Sequence, residues 1–207
     1  MTTLAGNPVS AGFVDGLGTN ALFWYPDGVA LDKAGNLFVT DESNRAIRKI
    51  APGGQVTTFA NLTNQLTNRA PYFPGSQSSL TLDGVGNVYL ADRQCHLIQK
   101  ISPTGTITTL AGSFHVDTNG WVLGGYVDGN GTNALFNRPS AVAVDALGTV
   151  YVADTGNHAI RQITADGMVT TLAGNPNFDT NGYALGGYAD GIGLAALFTF
   201  PQRTRSG

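Results

Sequence analysis

Asp32-Lys33-Ala34-Gly35-Asn36-Leu37-Phe38-Val39-Thr40-Asp41 returns as Asp83 to Asp92 and again as Asp145 to Asp154. The spacings are 51 and 62 residues. Each copy runs into an Ile-containing basic segment: Ala46-Ile47-Arg48-Lys49-Ile50, Leu97-Ile98-Gln99-Lys100-Ile101 and Ala159-Ile160-Arg161-Gln162-Ile163. A short turn follows, then Val56-Thr57-Thr58-Phe59, Ile107-Thr108-Thr109-Leu110 or Val169-Thr170-Thr171-Leu172. Repetition at this period marks an array of one supersecondary unit.

Each unit reads as four strands. In the third, Ala141-Val142-Ala143-Val144 is apolar throughout, as expected of a strand buried on both faces. Val150-Tyr151-Val152-Ala153 is rich in β-formers. Ile160 to Ile163 is more polar, and Val169 to Leu172 closes the unit after an Asp166-Gly167 turn. The rise in polarity predicts a blade with its first strand at the centre and its last on the rim. In the first unit the strands are expected near 28–31, 36–40, 46–50 and 55–59.

Connectors join the units. Leu110 to Pro139 and Leu172 to Pro201 align without gaps over 30 residues, 18 of them identical. The copy at Leu4 to Pro26 is seven residues shorter, and Asn61 to Pro74 lacks the Gly-Tyr and Asp-Gly signals of the others. Thr132 to Phe136 predicts a turn or two of helix capped by Thr132 or Asn133, with Leu135 and Phe136 sealing the gap between blades.

Composition narrows the class. Of 207 residues 28 are glycine and only 12% are charged, which suits many tight turns and short strands. Glu42 is the only Glu, so long solvated helices are disfavoured. The net charge of −3 offers no basic surplus for phosphates, and nucleic acid is not expected as a partner. No apolar run is long enough for a membrane-spanning helix, and no secretory signal is visible at Met1 to Gly6. Cys95 is alone, so it forms no disulfide within the chain.

The third unit resembles the NHL-repeat family, in its bacterial form. Pro139, Gly148 to Asp154 and Asn157-His158-Ala159-Ile160-Arg161 carry the resemblance. The other units drift to Asn44-Arg45-Ala46-Ile47-Arg48 and Cys95-His96-Leu97-Ile98-Gln99. The resemblance implies an all-β propeller fragment. Blade units are expected at about 26–61, 74–112 and 139–174, with partial units at 1–6 and 175–207. After Pro201 the chain reads Gln202-Arg203-Thr204-Arg205-Ser206-Gly207 where an apolar strand would follow. Closure takes at least about four blades, so three units predict an open arc, self-association through open blade edges and a place within a longer protein.

Asp41, Asp92 and Asp154 end the second strand of every unit, where a carboxylate accepting backbone N–H groups would fix the turn. A structural role is expected of them, and no catalytic residue is assigned. Asp15, Asp128 and Asp190 open Asp-Gly-Xaa-Gly segments. These fit a dinucleotide fingerprint only loosely, and no long helix follows. Asp128, Asn130 and Thr132 offer alternating oxygens for calcium, but no Glu closes the loop. Calcium is the one cofactor weighed, against a plain turn, and no metal site is assigned. His96 and His158 hold equivalent places, where a packed or hydrogen-bonded residue is expected.

In a four-stranded blade the connectors share an end with the turn between the second and third strands. That predicts one candidate binding face carrying Glu42, Arg45, Arg93, His96, Trp121, His158 and Tyr183. Trp24, Tyr126 and Tyr188 are expected to pack between blades, and Cys95 to be a half-buried thiol. The leading expectation is a non-enzymatic recognition or scaffold module for a protein or small ligand. The alternative is a propeller enzyme of the lyase or lactonase type with a metal in its channel. No compartment is named by the sequence; the resemblance admits a cell-surface or extracellular setting.

Overall fold

The computed structural model describes residues 2–62, 78–175, 177–180, 182 and 184–202. Short strands and single 3₁₀ turns make up its regular structure, with no long helix among the described residues. The chain is an all-β propeller fragment of three antiparallel blades set side by side. The first blade holds β1 (Gly16–Leu17), β2 (Pro26–Leu31), β3 (Leu37–Asp41), β4 (Ala46–Ile50) and β5 (Gln55–Asn61). The second holds β6 (Ser79–Leu82), β7 (Val88–Asp92), β8 (Leu97–Ile101) and β9 (Ile107–Ala111). The third holds β10 (Gly129–Asn130), β11 (Pro139–Val144), β12 (Val150–Asp154), β13 (Ala159–Ile163) and β14 (Met168–Ala173). A separate two-stranded ribbon pairs β15 (Asn177–Phe178) with β16 (Ala184–Leu185).

The connectors enter the blades as extra strands. The order in the first blade is β1-β5-β4-β3-β2, and in the third β10-β14-β13-β12-β11. The chain thus crosses the rim of a blade before it lays down that blade's first strand. The four-stranded expectation is extended here by β1 and β10. Their short hydrogen-bonded contact covers part of an otherwise open rim edge.

The core lies between blades. Phe38, Ile47 and Ala60 of the first blade pack with Leu80, Val88, Leu90 and Ile101 of the second. Tyr89, Ala91 and Ile98 of the second pack with Val142, Val152 and Ile163 of the third. Phe136, 1% exposed, sits in this second cluster, so the connector seals the gap as expected. The predicted helix around it is a single 3₁₀ turn, Gly131–Asn133, with no side-chain cap. Ala134 beyond it is already extended, so neither Thr132 nor Asn133 caps a helix.

Burial peaks on the middle strands of each blade, not on the first, while the last strands stay more exposed than the middle ones, as expected. Only Val142 of the stretch Ala141 to Val144 is buried, while Val29 and Leu31 of β2 are 50% and 62% exposed. The second and third strands are the most enclosed: all five residues of β7 are buried, and Arg48, Gln99 and Arg161 on the third strands β4, β8 and β13 are 0% exposed. The physical reason is position. A second or third strand has a strand on each side and a neighbouring blade against it, whereas a first strand has a partner on one side only.

Each blade carries a bulge beside its third-strand centre, between Ile47 and Arg48, Ile98 and Gln99, and Ile160 and Arg161. A bulge bends the strand and re-aims the side chain next to it.

Candidate functional site

Arg48 and Arg161 are buried hubs that fasten the connectors to the blades. The Arg48 guanidinium donates to Asp41 Oδ2 at 2.8 Å and Asp15 Oδ1 at 2.6 Å, and to the carbonyls of Leu22 and Val14, both at 2.9 Å. Arg161 repeats the set with Asp154 at 2.9 Å, Asp128 at 2.6 Å, Leu135 at 3.1 Å and Val127 at 2.9 Å. Aromatic rings lie over each: Phe13 and Phe23 within 5.0 Å of Arg48, Tyr126 and Phe136 within 5.1 Å of Arg161. A planar fork suits this arrangement of two acids and two carbonyls.

The repeated aspartates complete the joint. Asp41 Oδ1 accepts the Trp24 N–H and Asp154 Oδ1 the Asn137 N–H, each at 2.7 Å. Asn44 and Asn157 bridge these carboxylates to the Gly12 and Gly125 carbonyls. The N–H groups accepted are those of the incoming connector, not only of the local turn. Asp128 spends its other oxygen on the Thr171 N–H at 3.1 Å, as Asp15 does on Thr58 at 3.0 Å.

The second blade departs. Gln99 stands where the others have arginine, and its amide has no hydrogen-bond partner among the described residues. Asp92 is served instead from the first blade. The Arg45 fork reaches both its oxygens, at 2.9 and 3.4 Å. Burial works to raise the Asp92 carboxyl, but the Arg45 charge and hydrogen bonds hold it below its ordinary value. Cys95, 0% exposed, donates its N–H to Asp92 at 3.0 Å, and its thiol lies 3.5 Å from Arg45. The thiol is therefore fully buried, not half-buried, and burial pushes its pKa well up.

Of the expected binding residues, Glu42, Arg45, His96 and His158 are buried, between 5% and 9% exposed. They are spent on joints between blades. Glu42 accepts the Ser78 N–H at 3.2 Å, and burial pushes its carboxyl up to about 7. His96 Nδ1 accepts the Arg138 N–H at 2.9 Å, and His158 Nδ1 accepts the Phe200 N–H at 2.9 Å. Burial, then the Arg138 charge, pushes His96 down to about 4, which keeps Nδ1 free to accept. Arg45, His96 and His158 all hold left-handed backbone, at φ between 49° and 57°. Arg93 is half-buried and Trp121 is 45% exposed, so these two face solvent. Tyr183 lies outside the described residues.

The long connectors build hairpins on this side. Val116 pairs with Val122, and Asp117 Oδ1 caps the turn through the Asn119 and Trp121 N–H groups, both at 2.8 Å. The hairpin base lies against the clasp. A Cβ on Gly124 would sit 2.9 Å from His96 Nδ1, and one on Gly186 3.2 Å from His158 Cε1. Tyr126 packs over Arg161 as expected of a sealing residue, whereas Tyr188 is 92% exposed and seals nothing among the described residues. It holds the place in its connector that Tyr126 holds in the preceding one. Trp24, expected between blades, is 48% exposed. Sequence reasoning missed the arginine hubs. The available signal was the shared loss, in the second unit, of the third-strand arginine and of the connector's Asp-Gly.

Blades built from one repeated antiparallel unit, joined by rim-crossing connectors, define a β-propeller repeat protein. Within the third blade, residues 136–163 match the family model of the NHL repeat. Human Teneurin-4 is 27% identical over 181 residues, covering 81% of this chain and 6% of that protein. NHL repeat-containing protein 2 of Gallus gallus is 36% identical over 104 residues, covering 49% of this chain and 13% of that protein. The chain thus spans a small part of the relatives it matches. An auxiliary nutrient binding protein from Bacteroides ovatus superposes with a TM-score of 0.67 at 22% identity, over 89% of this chain and 43% of that one. A gluconolactonase from Xanthomonas campestris superposes with a TM-score of 0.52 at 13% identity, over 85% of this chain and 52% of that one. Among the described residues no helix is long and apolar enough to cross a membrane.

Proposed function

We propose that this chain is a non-enzymatic recognition module that binds its ligand or protein partner on the face carrying the inter-blade hairpins. One observation carries the reading. The repeated Asp and His residues, with the hub arginines, are consumed in fastening blades, while the solvent-facing Arg93 and Trp121 differ from their repeat counterparts. Variation on a constant frame is how recognition surfaces are made. The nutrient-binding function in the name of the Bacteroides protein is compatible with this reading, although at 22% identity the likeness speaks for fold alone.

The test is a panel of soluble glycans and extracellular protein domains screened against the chain. Deleting Asp117 to Leu123, which shortens that connector to the length of the first, is expected to abolish any specific binding found. Binding that survives the deletion but fails when Asp145 to Gly148 and Ala165 to Gly167 are altered would place the surface on the opposite face. Stoichiometric metal in the purified protein, with lactone or lyase turnover, would favour an enzyme instead.

A further inference from the structure

The clasp between the second and third blades repeats a backbone but not its side chains. Arg138 donates its N–H to His96 Nδ1, and His96 closes the turn that Arg93 opens. Two segments distant in sequence are thereby tied together with an arginine on each. At the next clasp, His158 and Phe200 make the same bond at 2.9 Å. The residues in the Arg93 place elsewhere are Glu42 and Thr155, and both are tied to neighbouring chain: Glu42 takes the Ser78 N–H of the next blade, while Thr155 pairs with Ser140 of its own blade and donates to the Pro201 carbonyl. The Arg138 place is held by Tyr25 and Phe200, which share its left-handed backbone, at φ 54° and 47°. Arginine at both positions therefore serves no requirement of the repeat.

The other arginines of the described residues, Arg45, Arg48 and Arg161, each close on a carboxylate. Arg93 and Arg138 close on none within 4.0 Å among the described residues, Arg93 being half-buried and Arg138 exposed. They are near enough to act on one another. After burial, the Arg138 charge is the next influence lowering the Arg93 pKa, and Asp27 opposes it weakly. Two like charges that repel, with no carboxylate in ion-pair contact among the described residues and Asp27 acting only from farther off, gain from a bound anion. Guanidinium forks match a carboxylate in two-point geometry. Asn137, next to Arg138, lies beside Gly124 at the base of the Trp121 hairpin, so the pair sits where the hairpin meets the blades.

We propose that Arg93 and Arg138 form an anion site that receives a carboxylate group of the ligand at the junction of the second and third blades. The inference rests on the recognition reading for its place on the hairpin face and adds the chemical class of ligand.

The experiment is a titration of the full 207-residue chain with citrate at constant ionic strength. It is followed through the arginine Nε–H signals in ¹⁵N-labelled protein and repeated with inorganic phosphate. The expected result is saturable movement of the Arg93 and Arg138 signals by citrate, with affinity falling about tenfold in Arg93→Gln and in Arg138→Gln. Arg138→Lys, which keeps the charge and loses the fork, is expected to fall between; it guards against loss through misfolding, as does an unchanged melting temperature. No saturable movement, or full affinity in both Gln variants, would overturn the site. Equal affinity for phosphate would overturn the carboxylate class. Citrate binding at this pair alongside partner binding that ignores the hairpin deletion would sink the recognition face and leave this site standing.

Discussion

Arg45 of the first blade pairs with Asp92 of the second at 2.9 Å, substituting across the gap for the within-blade arginine that serves Asp41 and Asp154. The substitution accompanies Gln99, which occupies the hub position of the second blade. Breaking a buried pair by removing one partner costs about 3–5 kcal/mol, because the other charge is left without a counter-ion. Arg45→Ala is expected to lose that much in urea denaturation. Gln99→Arg in the Arg45→Ala background should regain part of it by restoring the within-blade pair, and no recovery would show that the two positions are not exchangeable.

Asp154→Ala removes the acceptor of Arg161, Asn157 and the Asn137 N–H together. The cost should reach about 3–5 kcal/mol, above the 1–3 of a single unsatisfied backbone donor. The variant should still bind whatever the folded chain binds. Unchanged stability with lost binding would make this aspartate functional.

Two buried groups oppose each other in pH. Glu42 is raised from 4.5 to about 7, so the folded state holds its proton more tightly, and the associated stability is lost as pH rises through that window. His96 is lowered from 6.5 to about 4, so its contribution is present above 6.5 and lost as pH falls. Each amounts to about 3 kcal/mol. Compared with wild type, Glu42→Gln should gain stability steadily between pH 4.5 and 7, and His96→Gln should lose less on acidification from 6.5. Parallel stability–pH curves for all three proteins would contradict both assignments.

Phe136 and Phe198 hold the same place in successive connectors, but only Phe136 is fully buried between two described blades. Phe136→Ala should cost about 3–5 kcal/mol. Phe198→Ala should cost roughly 1–2 kcal/mol, since less area is withdrawn from water. Thermal melts of both variants measure the difference.

Val29, Leu31 and Phe200 are each at least 50% exposed. Large apolar side chains exposed on the first blade and beyond the third promote association. The chain is expected to show a concentration-dependent mass in light scattering, and a strict monomer at high concentration would count against open blade edges.

Much of the fold was legible because it rests on local chemistry. Period-two runs and turn glycines placed strands near 28–31, 36–40, 46–50 and 55–59, and they stand at Pro26–Leu31, Leu37–Asp41, Ala46–Ile50 and Gln55–Asn61. Gly35, Gly86 and Gly148 turn at φ between 83° and 89°, as the turns after Asp32, Asp83 and Asp145 require. The candidate site was less legible. His96 and Glu42 were placed on the right turns, but solvent exposure was expected where the next blade covers them.

The repeat alone determined an all-β chain of blades, because strand alternation, turn residues and a 51- to 62-residue period are properties of neighbouring residues. Only the tertiary structure decided which charges are spent. Arg48 finds Asp15 from 33 residues away, Arg45 finds Asp92 from 47, and the Arg138 N–H finds His96 from 42. Such pairings depend on how one blade settles against the next and on where a bulge aims a side chain, and residue types along a strand do not encode either.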